Sequence, residues 1–190
     1  MKIWAHKRWN QKKIWRKLGF TKFDESIFND SFKKELLKSF LIISFWILLL
    51  IFGDILRFRS AVNYQLLFDI LFTSIFVGVA EELLFRVWFF EELKLFLSTN
   101  KAIFLQAIFF SLVHPYNFGD SLTVNILMKI GLLLLGIYLN LLRINNYPNI
   151  FPSIAFHGGI VGFIFLAKSF LQVQGNYPFL IYGNQYDSFI

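Results

Sequence analysis

The sequence predicts an all-α, polytopic transmembrane helix bundle of about five spans, preceded by an amphipathic N-terminal arm. Composition is the first reason. Of the 190 residues, 56% are hydrophobic and 26 are Phe, and the mean hydropathy of +0.56 is high for a soluble domain. Pattern is the second reason, because the apolar residues form long runs separated by polar turns, with no internal repeat. The chain has no Cys, which excludes disulfides, thiolate catalysis and iron–sulfur ligation.

Residues 1–38 are predicted to form the arm, and residues 39–190 the membrane-embedded domain. The arm carries the whole excess of Lys and Arg behind the net charge of +7, and these residues are interspersed with Trp and Phe. Such a segment suits an anionic cytoplasmic leaflet, with its aromatic side chains in the interface. A simpler interpretation is that the Lys and Arg residues of the arm only set the orientation of the protein in the membrane. Nucleic-acid binding is disfavoured because the arm adjoins a membrane span, so we expect the lipid bilayer as a partner and no nucleic acid.

The predicted spans are residues 39–55, 65–97, 102–114, 122–142 and 152–171. The first is only just long enough to cross a bilayer, whereas the second is so long that it must tilt, protrude or break. The third is short, which suits a helix that ends inside the bundle beside a water-filled cavity. Lys and Arg concentrate in the arm and in the loops on the same side. We therefore expect an integral protein of the cell (plasma) membrane with a cytoplasmic N-terminus.

Three ionisable side chains, Glu81, Glu82 and Arg86, lie near the middle of the second span. Each costs about 2.5 to 3.5 kcal/mol near a bilayer midplane if it has no partner, so this stretch is a candidate functional site. Glu82 and Arg86 are four residues apart and can pair on one helix face, whereas Glu81 points about 100° away and is left for chemistry. Glu91 and Glu92, near the end of the span, are expected to be solvated and to have no chemical role.

Two of the three His residues lie in predicted spans, His114 at the end of the third and His157 in the fifth. Either one alone would be satisfied by a neighbouring backbone carbonyl. Together with Glu81, they are expected to share one cavity, because each polar side chain in hydrocarbon needs a partner.

Such a cavity suits the attack of water on a carbonyl group. Glu81 would act as the general base toward water, His114 would share that water, and His157 would donate a hydrogen bond to the oxyanion. One glutamate and two histidines are also a ligand set for a catalytic divalent metal such as zinc. If a metal is present, its expected ligands are Glu81, His114 and His157, although the helical motif H-E-x-x-H is absent.

Three short motifs occur in order on separate predicted spans. They are Glu81-Glu82-x-x-x-Arg86, Phe110-x-x-x-His114 and His157. In this order they resemble the motifs of the CAAX protease and bacteriocin-processing (CPBP or Abi) family of intramembrane proteases, which includes the type II CAAX prenyl endopeptidases. The similarity extends over about residues 65–172.

The resemblance implies an intramembrane endopeptidase that acts on a membrane-associated peptide or protein. It implies that Glu81 activates water with His114 as its partner, and that His157 supplies oxyanion or metal support. The site-supporting residues would be Glu82, Arg86 and Phe110.

Two positions differ from the usual pattern of that family. Val161 stands four residues after His157, where an Asn or similar polar residue is usual, and Val87 occupies a position where Gly is common. Loss of one oxyanion donor lowers a rate by about 10² to 10³ if nothing replaces it. Ser153 and Asn140 are the candidate replacements.

Two other classes of function remain open. A non-catalytic membrane scaffold, such as an immunity or partner-binding factor, would use the same fold, and Val161 favours it. A small transporter would use Glu81 as a proton carrier, but the absence of repeated spans and of paired broken helices disfavours it.

Overall fold

The computed structural model describes residues 7–9, 14–19, 25–62, 64–115 and 122–174. Its principal helices are α1 (Ile14–Lys17), α2 (Glu25–Phe52), α3 (Tyr64–Glu81), a π-helix (Glu82–Phe89), α4 (Phe90–Leu93), α5 (Thr99–Val113), α6 (Leu122–Asn145) and α7 (Phe151–Phe170). Two short strands, β1 (Leu56–Phe58) and β2 (Leu171–Val173), pair in antiparallel orientation. The other described elements are all helices, so the predicted all-α class is confirmed.

Three helical segments of the described chain are long and apolar enough to cross a membrane. They are Asp30–Phe52, Leu122–Asn145 and Phe151–Phe170. The other two predicted spans take different forms. The second is the run from α3 through the π-helix to α4, and the third is α5, a shorter apolar helix of 15 residues. The three long apolar helices are those of an integral membrane protein.

Helix α2 begins earlier than the predicted first span. It starts at Glu25, so the predicted boundary between arm and domain at residue 38 lies inside a helix. Residues 25–38 contain neither Pro nor Gly, so no local signal stops the helix before it enters the apolar segment. Residues 1–6, 10–13 and 20–24 of the predicted arm lie outside the described residues.

Helix α7 packs against α2, α3 and α6. Its contact with α3 is close, because a Cβ added at Gly158 would lie 2.7 Å from the carbonyl oxygen of Ser74. A Cβ added at Gly78 would lie 3.1 Å from the Cα of Gly158. Small residues at both positions allow the two backbones to touch. The contact sets the C-terminal end of α3 beside residue 157 of α7.

One aromatic residue of the arm packs inside the protein. Trp9 is 6% exposed and belongs to a cluster with Leu18, Val87 and Ile150. Its indole Nε1 donates to Glu92 Oε1 at 2.8 Å, which satisfies the polar edge of a buried ring. The expectation that the arm's aromatic side chains lie in the membrane interface is therefore wrong for Trp9.

Two carboxylates at the end of this helical run hold the arm. Glu91 pairs with Lys17 at 2.7 Å and with Lys94 at 3.5 Å, and its side chain is 8% exposed. Glu92 Oε2 lies 3.1 Å from Nε of Arg8. The expectation of solvated side chains is wrong for Glu91, because the arm, distant in sequence, covers it.

Candidate active site

The helical run that carries the acidic pair changes its hydrogen-bonding pattern at the site. Glu81 ends α3, and the next eight residues form a π-helix in which the N–H of Phe90 donates to the carbonyl of Phe85, five residues earlier. Such wide turns are rare and occur frequently at functional sites. Here the turn buries Glu82 and Arg86 completely, whereas the Glu81 side chain stays 27% exposed.

Three helices bring the three sequence-predicted site residues together. Glu81 Oε2 lies 3.8 Å from Nε2 of His114 and 3.8 Å from Nε2 of His157. These distances are too long for direct hydrogen bonds but suit groups that share a bridging water. The His157 side chain is 4% exposed and the His114 side chain 26%. The side chains of Glu81 and His114 are therefore partly exposed, although Glu81 Oε2, which faces both histidines, is itself buried.

The Nδ1 atom of each imidazole lies within hydrogen-bond distance of an acceptor oxygen. His114 Nδ1 lies 2.7 Å from the carbonyl oxygen of Phe110, and His157 Nδ1 lies 2.9 Å from Glu82 Oε1. A carbonyl or carboxylate oxygen only accepts, so we assign the proton to Nδ1 in both rings. Both rings consequently present Nε2 to Glu81.

A buried ion pair supports the group. Arg86 Nη1 lies 3.2 Å from Glu82 Oε1, and both side chains are 0% exposed. The predicted pairing across one helical turn is thus present. The same carboxylate oxygen accepts from His157, so Glu82 links the arginine to the imidazole.

The ring of Phe110 forms the wall of this cluster. The guanidinium carbon of Arg86 lies 4.1 Å from its centroid, at a distance typical of a cation–π contact. The same ring lies 4.7 Å from the ring of His114 and 5.8 Å from that of His157, edge to face. Phe110, which is 0% exposed, therefore contacts Arg86 and both histidines, and its site-supporting role stays a prediction.

The two candidate replacements for the missing oxyanion donor are engaged elsewhere. Ser153 Oγ donates to the carbonyl of Leu139 at 3.4 Å. Asn140 Nδ2 donates to the carbonyl of Gly136 at 3.1 Å and to Gln106 Oε1. Among the described residues, neither side chain hydrogen-bonds to the glutamate or to the two histidines. Sequence reasoning did not single out Gln106, although a fully buried amide in an apolar helix signals a polar partner nearby.

Glu81, His114 and His157 are also the candidate ligands of a metal ion. Their donor types suit zinc, but the described ranges contain no group of three or more His, Cys, Asp or Glu arranged so that it could hold a metal ion. Metal binding by Glu81, His114 and His157 stays a prediction.

The fold and the site together define a class, an integral membrane helical protein with one glutamate and two histidines facing one another from three helices. The chain matches the model of the type II CAAX prenyl endopeptidase Rce1-like family over residues 63–163. This match covers more than half of the chain and includes all three residues, and the protein belongs to this family of proteases. No curated protein and no solved structure matches the chain.

Proposed function

We propose that the protein is an intramembrane endopeptidase that hydrolyses a peptide bond of a membrane-associated substrate. The observation that carries the proposal is the position of Glu81 Oε2, 3.8 Å from Nε2 of each histidine. A water bound between these atoms has a carboxylate to accept its proton. The family name adds a substrate class, because it describes endopeptidases of prenylated CAAX sequences.

The proposed reaction starts at Glu81. Its carboxylate accepts a proton as the water oxygen bonds to the carbonyl carbon of the substrate, and the oxyanion forms. Glu81 then returns that proton to the leaving amine as the C–N bond breaks. His114 Nε2, which carries no proton when Nδ1 donates to the Phe110 carbonyl, accepts the second hydrogen of the water and orients it.

His157 is the proposed oxyanion donor. To donate, it must carry a proton on Nε2 as well as on Nδ1, and the Glu82 carboxylate at 2.9 Å balances that positive charge. A carboxylate that holds the far side of an imidazole also fixes its ring orientation, as in serine hydrolases. The pairing of Glu82 with Arg86 keeps the carboxylate in place.

A binding factor on the same scaffold is the second candidate. The favouring observation is the apolar Val161 one turn after His157, together with the bonding of Ser153 and Asn140 to other groups. A protein of this kind would bind a membrane-associated peptide without cleaving it.

Peptide cleavage in lipid vesicles distinguishes these candidates. The purified protein is reconstituted with a farnesylated CAAX peptide or its unprenylated counterpart, and products are identified by mass spectrometry. We expect cleavage of the membrane-bound peptide, with a rate that stays within about twofold when EDTA or phenanthroline is added, since Glu81 and water suffice. Protein-free vesicles are the control.

Each other result has a definite meaning in this assay. Binding without cleavage supports the scaffold and overturns the proposed function. Cleavage that stops with chelator and returns with zinc overturns the metal-free mechanism and assigns a metal to Glu81, His114 and His157.

A further inference from the structure

The C-terminal end of α5 carries His114. The helix ends at Val113, and His114 follows as its cap in an extended conformation, with φ −68° and ψ 136°. The last carbonyls of a helix lack partners within it. In a membrane protein such groups need partners from the protein itself.

Lys129 of α6 supplies those partners. Its Nζ donates to the carbonyl of Ser111 at 2.9 Å and to the carbonyl of His114. In the opposite direction, Ser111 Oγ donates to the carbonyl of Lys129 at 2.7 Å. Three hydrogen bonds therefore join the end of α5 to the middle of α6.

The charge of Lys129 suits its position. A helix C-terminus carries a partial negative charge that favours a cation, and the ammonium group is bonded to two carbonyls of the last turn and cap. The nearby carbonyl of Phe110 accepts from the His114 imidazole instead. Lys129 thus bonds the backbone at the end of α5, and the neighbouring carbonyl of Phe110 bonds the ring of His114.

We propose that Lys129 is a positioning residue for His114, which fixes the backbone from which the imidazole presents Nε2 to Glu81. This inference rests on the proposed function, because it assigns Lys129 to the geometry of the same site. Without the ammonium group, the last turn of α5 loses two bonds and the Phe110–His114 contact loosens. Small displacements of a group that orients the attacking water slow catalysis strongly.

Kinetics of Lys129 variants test the proposal. Lys129→Met removes the donors and keeps an unbranched apolar stem, whereas Lys129→Arg keeps charge and donors. We expect Lys129→Met to lower kcat by about 10- to 100-fold with KM within about threefold, and Lys129→Arg to recover most of kcat. Rates are divided by the folded, monodisperse fraction of each preparation. Lys101→Met, which removes a cation from the exposed N-terminal turn of the same helix as His114, is the matched control and should keep wild-type kcat.

A second readout does not need activity. The chain has only three His, so ¹⁵N-histidine NMR resolves each ring in detergent micelles. We expect the neutral Nδ1-protonated form for His114 in the wild type. In Lys129→Met, only His114 should shift toward a mixture of both neutral forms.

The two readouts separate the possible failures. Wild-type kcat together with a wild-type His114 spectrum in Lys129→Met overturns the role of Lys129. A fall in kcat that Lys129→Arg leaves uncorrected also overturns it. If the wild-type protein cleaves no peptide, the proposed function is wrong, and the His114 spectrum alone decides whether Lys129 positions the ring.

Discussion

Glu81→Gln is expected to lower peptide cleavage by about 10²- to 10⁴-fold while the protein folds and binds substrate normally. The amide keeps the size of the side chain but cannot accept a proton from water, and general-base catalysis contributes a factor of this order. The amide stays polar, and the buried Arg86 keeps Glu82 as its partner, so the substitution leaves no buried charge without a partner. Single-turnover rates and thermal stability of the reconstituted variant measure both effects.

Glu92→Gln is the matched control for this substitution. Glu92 lies in the same helical run, but its partners are Arg8 and Trp9 of the arm. The amide oxygen still accepts from the indole, so we expect turnover within about twofold of wild type. Cleavage by Glu81→Gln at the wild-type rate would contradict the assignment of Glu81 as base and would favour a binding factor.

Arg86→Ala is expected to destabilise the protein by about 3 to 5 kcal/mol, because it leaves the buried Glu82 carboxylate without its cation. It also removes the contact between the guanidinium group and the ring of Phe110. We expect a large loss of folded protein and of activity. Thermal unfolding followed by fluorescence size-exclusion chromatography measures the first, and peptide cleavage the second.

A double variant at Glu82 and Arg86 distinguishes the effect of the pair on stability from its effect on activity. Glu82→Gln combined with Arg86→Met removes both buried charges, and replacing a buried pair with neutral groups restores much of the lost stability. Activity should stay low, since the neutral amide that replaces the Glu82 carboxylate cannot balance a protonated His157. Wild-type stability in Arg86→Ala, or a double variant as unstable as the single one, would show that the 3.2 Å pair does not stabilise the fold.

The class of fold and the members of the site were predictable because both follow from local rules. Apolar runs of sufficient length identify membrane helices, and scattered polar residues within them must find one another. These two rules anticipated the approach of Glu81 to His114 and His157. The spacing of four residues anticipated the pair of Glu82 with Arg86.

Three other features of the structure were not predictable in this way. The burial of Trp9 against Val87 and Ile150 depends on how the arm folds back, which no local pattern encodes. The π-helix after Glu81 has no sequence signal of its own. Lys129 lies near the middle of an apolar helix, and its position is explained by the end of α5 beside it.

Glu81 and His157 are proposed to act on one water and one carbonyl as a single catalytic unit. Measurement of kcat/KM for Glu81→Gln, His157→Asn and the variant that carries both tests this proposal. Asn can still donate to Glu82 from the position of Nδ1, so the second change removes only the group at Nε2. Residues that act as a unit have strongly non-additive effects. We predict that each single change costs about 10² to 10⁴ and that the double variant is within about threefold of Glu81→Gln, whereas losses that multiply in full would contradict the account.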